Sequence, residues 1–126
     1  MYTADARAGD TRAAEAVLAR ATLSAAKRLG LSNRELAGIL GSSEASVSRM
    51  SRDRALRSGS AEAGLAALFL RLFRSLDALV GGHEEQARTW FSSPNRHLDG
   101  IPADRVRSVE GLVDVVHYLD AVRGKL

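Results

Sequence analysis

Five residues in the first half of the chain, Glu44, Ala45, Ser48, Arg49 and Arg52, have the types and spacing of a nucleic-acid reader. At 100° per residue they fall on one side of a helix, opposite Val47 and Met50. Short Ala45 and Ser48 let a helix backbone approach base edges. Arg49 can pair bidentately with a guanine, and Glu44 can accept from a cytosine amine. Asn33, Arg34, Ser43 and Arg52 flank this face and are placed to meet phosphates. The plainer alternative is the polar outer face of an ordinary helical hairpin.

Other chemistry does not assemble. His83, His97 and His117 are isolated, with no spacing that would bring two of them to one metal. There is no cysteine, so disulfides and thiolate metal sites are excluded. Glu84-Glu85 reads as acid at a helix N-terminus rather than as a catalytic pair. No glycine-rich phosphate loop follows a strand, because no strand pattern is present. A small enzyme therefore finds no constellation to carry it, and no cofactor is expected. Trp90-Phe91 is an aromatic pair that fits either a core plug or an interface anchor.

The reader needs a helix-turn-helix to position it, and the run LSNRELAGILGSSEASVSRMSR from Leu31 to Arg52 supplies one. Ser32 and Glu35 have the spacing of a capping box. Leu36, Ala37 and Leu40 share a face, Gly41 suits a left-handed turn, and Ser42 or Ser43 can cap the second helix. Small Ala37 permits close approach of that helix, which carries Val47 and Met50 inward. Such a pair lays its second helix in the major groove. Charge agrees: residues 1–60 hold ten Lys/Arg against six Asp/Glu, whereas residues 61–126 hold eight against nine.

The 126 residues suit one or two small all-α domains. No apolar run reaches membrane-span length, and the N-terminus lacks the apolar core of a signal peptide, so a cytoplasmic protein without membrane contact is expected. The pattern divides the chain into a loose tail at 1–9, a helix-turn-helix domain at 10–58 and a helical domain at 59–126. Asp10 is expected to cap a first helix running to about Leu29, with Val17, Leu18, Ala21, Ala25 and Leu29 on its apolar side. Ser51 to Ser60 reads as a polar linker, whose Arg52, Arg54 and Arg57 either touch phosphates or merely face solvent. Ala61 to Val80 is the strongest helix signal, with Leu65, Leu68, Phe69, Leu72, Phe73, Leu76 and Leu79 on the i, i+3, i+4 rule. Short helices follow at Glu84 to Phe91 and from Pro102 to about Val106. Ser108 opens the last helix, with Val109, Leu112, Val113, Val116, Leu119 and Val122 as its main stripe and Val115 and Tyr118 off it.

Trp90, Pro94-Asn95, Leu98, Gly100, Pro102 and Gly111, in TWFSSPNRHLDGIPADRVRSVEGLVDVVHYLDAVRGKL, resemble the toxin-binding domain of the Xre/MbcA/ParS antitoxin family. The first half looks like the Xre-type helix-turn-helix of the same family, so the resemblance covers roughly residues 10–126. It implies a cognate RES-domain toxin that degrades NAD or transfers its ADP-ribose, with NAD the toxin's substrate and not a cofactor of this chain. It implies also that the antitoxin obstructs the toxin's NAD pocket, commonly with its C-terminal region, and that it or the complex binds the operon's promoter DNA. Trp90, Pro94, Asn95, Leu98 and Pro102 would then serve the toxin-binding surface. The stub Arg123, Gly124, Lys125 and Leu126 would serve as the plug, with a carboxylate at Leu126 in place of pyrophosphate and Arg123 against an acidic side chain. The stripe from Leu65 to Leu79 and the two-faced last helix suggest a homodimer. The rival reading is a free-standing repressor whose second half only dimerises.

Overall fold

The computed structural model describes residues 4–124, with side chains from Arg7 onward. Lys125 and Leu126, half of the expected plug, lie outside the described residues. The architecture is all-α: seven helices and a single 3-10 turn among the described residues, and no strand. The helices are α1 (Ala4–Arg28), α2 (Asn33–Leu40), α3 (Glu44–Met50), α4 (Ala61–Leu79), α5 (Glu84–Ser92), α6 (Pro102–Arg105) and α7 (Val109–Arg123), with the 3-10 turn Arg96–Leu98 between α5 and α6. None of them is long and apolar enough to cross a membrane.

α1 starts at Ala4, upstream of the expected Asp10, because Ala and Arg between 4 and 9 are good helix formers and only Gly9 opposes them. Of the expected face, Ala25 and Leu29 are buried and Leu18 and Ala21 half-buried against the core, so it holds except at Val17. Ala19, Thr22, Ala25, Ala26 and Leu29 are buried, whereas Val17 is 54% exposed. The stripe of small residues is what lets α1 lie close to its neighbours. Thr22 is buried without cost to its hydroxyl, which donates to the Leu18 carbonyl at 2.7 Å.

Ser51 to Ser60 is more than a polar linker. Leu56 within it is fully buried, at 0% exposure. Its N–H donates to the Glu15 carbonyl on α1 at 3.3 Å, and Arg54 pairs with Glu62 on α4. A lone leucine in a polar run has no period to announce it, so sequence patterning overlooked this anchor.

α4 is the central element. Ser60 caps it, accepting from the Ala63 N–H at 3.1 Å. Phe69, Leu72 and Leu76 are fully enclosed by the chain's own helices, and α4 packs against α1, α2, α5 and α7. Leu65, Leu68 and Leu79 are half-buried. Most of the apolar surface expected to reach a second copy is thus covered internally. α7 buries Leu112, Val115, Val116 and Leu119; Val109, expected on that stripe, is 58% exposed, and Val115, expected off it, is buried. Ser75 and Arg71 of α4 both bond Asp120 of α7, the Ser75 hydroxyl at 3.1 Å. One continuous apolar core runs through both halves of the chain.

Candidate functional site

The helix-turn-helix forms for local reasons. The Ser32 hydroxyl accepts from the Glu35 N–H at 3.1 Å while the Glu35 carboxylate accepts from the Ser32 N–H at 2.9 Å, a closed capping box. Gly41 ends α2 in the left-handed region, at φ 63°, and the Ser42 N–H reaches back to the Ala37 carbonyl at 3.0 Å. Ser43 then caps α3, accepting from the Ser46 N–H at 3.0 Å. Val47 and Met50 anchor α3 in the core. From outside the motif, Leu65 on α4 lies against Gly41, where an added Cβ would stand 3.8 Å from the leucine.

The reader face is presented to solvent. Asn33, Arg34, Ser43, Glu44, Ala45, Arg49 and Arg52 are exposed, and Ser48 is half-buried. Arg49 is oriented before any ligand arrives. Its guanidinium donates to the Ser46 hydroxyl oxygen at 3.1 Å, and Ser46 in turn bonds the Ser43 hydroxyl at 2.9 Å. α3 ends in a tight turn where the N–H groups of Arg52, Asp53 and Arg54 all converge on the Arg49 carbonyl. Arg54 does not face outward as a phosphate contact would; Glu62 holds it. Burial raises the Glu62 pKa, but hydrogen bonds from Arg54 and Ser42 and the Arg54 charge outweigh it. The carboxyl sits below its ordinary value near 4.5.

The second candidate surface is built by α5, the loop after it and α7. Trp90 and Phe91 take different roles: Phe91 is core, while Trp90 is only half-buried. Trp90 stacks with Tyr118 of α7 at 6.3 Å between ring centroids, and His97 stacks on the same tyrosine at 5.5 Å. The histidine that looked isolated in the sequence thus belongs to an aromatic row assembled from three elements. Trp90, with Leu79, Val80, Glu85, Gln86, Thr89 and Ser93, also lines an open and mainly apolar groove of about 550 Å³.

The loop residues singled out by the sequence mostly shape this surface from beneath. The Asn95 carboxamide oxygen accepts from the His97 and Leu98 N–H groups at 2.9 and 3.2 Å, and its backbone pairs both ways with Gly100. Leu98 is buried, and Pro102 is buried at the first position of α6. Pro94 is exposed. Gly111 is required by contact, since a Cβ there would lie 1.8 Å from the Arg105 carbonyl oxygen. Arg105 itself pairs with Asp114 at 2.6 Å. Arg123 is exposed at the end of α7. Among the described residues no group of His, Asp or Glu is arranged to hold a metal.

Residues 8–71, half of the chain, match the model of the antitoxin Xre-like helix-turn-helix domain. The chain belongs to the Xre antitoxin family. Residues 75–125 of this antitoxin match the Xre/MbcA/ParS C-terminal toxin-binding domain. The two matches meet inside α4, so the antitoxin's DNA-binding and toxin-binding parts share one uninterrupted helix. The exposed face of α3 lies in the first match, and the aromatic row with its groove lies in the second. No curated protein matches the chain.

Proposed function

We propose that this antitoxin neutralises a cognate RES-domain toxin by obstructing its NAD pocket, and that it represses its own operon through α3. NAD is then a substrate of the toxin and not a cofactor of this chain. The observation that carries the reading is one chain with a continuous core and two outward surfaces, a serine-tethered Arg49 on a helix-turn-helix and an uncovered Trp90 groove inside a toxin-binding domain.

In this reading Arg49, Ser48, Glu44 and Ala45 face bases, and Asn33, Arg34, Ser43 and Arg52 face phosphates. Trp90, Pro94 and the surface that Asn95, Leu98 and Pro102 hold in shape form the docking face. The segment from Arg123 through Lys125 and Leu126 enters the toxin, where Arg123 meets an acidic side chain. A homodimer presents two copies of α3 to half-sites about one DNA turn apart.

Co-expression with the neighbouring open reading frame tests this. The expected outcome is rescue of growth and co-purification of the two proteins; deletion of Gly124–Leu126 should keep co-purification but weaken rescue. Absence of any toxic or interacting neighbour would instead favour a free-standing repressor.

A further inference from the structure

We propose that Arg107, which lies in the toxin-binding half, is a phosphate contact working beside Arg34 of the helix-turn-helix. The inference rests on the DNA reading of α3 and adds to it a residue that no motif assigns. In helix-turn-helix docking the first helix of the pair crosses the sugar–phosphate backbone. Here that helix is α2, and one of its faces is bare: Gly38 carries no side chain, and a Cβ there would stand 3.9 Å from Arg107 Nε. Arg107 lies two residues beyond the end of α6, and its Nε comes near this face. Gly38 is one helical turn from Arg34, on the same side of α2. The two arginines accordingly line a common cleft of about 160 Å³ with Leu31, Glu35, Ala103 and Asp104.

What sets these two apart is that they share one cleft while neither is neutralised by an ion pair. Arg28, Arg54, Arg71, Arg88 and Arg105 each have a carboxylate partner. Among the described residues neither Arg34 nor Arg107 has one, although Glu35 and Asp104 are in the same cleft. Glu35 is already committed to the Ser32 N–H in the capping box. Two exposed guanidiniums in one cleft, neither held by an ion pair, can both donate charge-assisted hydrogen bonds to one phosphate. The consequence is that the DNA footprint of this antitoxin extends onto the half that receives the toxin.

The test is a salt titration of fluorescence anisotropy on the full chain, with promoter DNA and scrambled DNA. Arg107→Ala should weaken both by a common factor and lower the slope of log K against log salt by about 0.9, the loss of one neutralised phosphate. Arg107→Lys should keep the slope, and Arg74→Ala, an exposed arginine on α4 outside the cleft, should leave it unchanged. Asp104→Asn should tighten binding to both DNAs by removing a negative charge from the cleft. An unchanged slope and affinity in Arg107→Ala, with wild type still preferring its promoter, would overturn this proposal alone. A wild type that binds neither DNA would overturn the reading of α3 together with it.

Discussion

If Arg49 meets a base as proposed, it would lose little freedom on binding, because Ser46 and Ser43 already hold its side chain against α3. Pre-orientation of this kind is where specificity at a base edge comes from, so Arg49→Ala should cost about 1–3 kcal/mol of promoter binding while leaving scrambled DNA much less affected. Anisotropy with both DNAs measures the difference. Gly111 answers to the opposite constraint, a backbone atom where a side chain would be. Gly111→Ala should lower stability by at least the 1–3 kcal/mol typical of overpacking, read as a fall in the thermal midpoint by circular dichroism. Local signals such as Ser32, Glu35 and Gly41 were legible because each acts within one turn of its own position. The row of Trp90, Tyr118 and His97 was not, since its members sit on three elements and meet only after folding. Leu79, the last residue of the expected stripe, packs half-buried against the core and also lines the groove, which no stripe pattern announces.

At the level of helices, α4 joins the two halves, and Glu62 near its start ties it to both ends of the reader. That carboxylate engages Ser42 in the turn before α3 and Arg54 after it. Its folded pKa lies below the unfolded value, so its contribution is complete above about 4.5 and is lost as pH falls through the folded value. Wild type should therefore melt above Glu62→Gln at neutral pH, and the gap should close on acidification toward pH 3. A gap independent of pH would show that Glu62 acts through packing alone. α5 has a comparable part: Arg88 donates to the Arg28 and Lys27 carbonyls at 2.9 and 3.3 Å, satisfying the C-terminus of α1 from the other half of the chain. The inward faces of α1 and α7 were legible except at Val17 and Val109. Where alanines and valines crowd a helix, several phases bury similar apolar area, so the edge of the buried stripe is poorly fixed by the pattern alone.

For the whole molecule, the sequence conveyed the all-α class and the family because two separate motifs agreed. It did not convey how completely α4 is enclosed. With Phe69, Leu72 and Leu76 buried within one chain, the proposed homodimer would have to draw on exposed positions such as Val17 and Val109 and on the half-buried rim of α4. Analytical ultracentrifugation of the antitoxin without toxin should still show a dimer at micromolar concentration; monomer alone would remove that element. If toxin and DNA take the two surfaces proposed above, Arg49→Ala should retain full neutralisation, and Trp90→Ala should retain promoter binding while toxin affinity falls. The measurement closest to the central claim is NAD consumption by the purified neighbouring toxin, titrated with this antitoxin. Consumption should fall to zero at a fixed stoichiometric ratio, and Trp90→Ala should shift that endpoint to higher concentration. Undiminished consumption in the presence of excess wild-type chain would contradict the account.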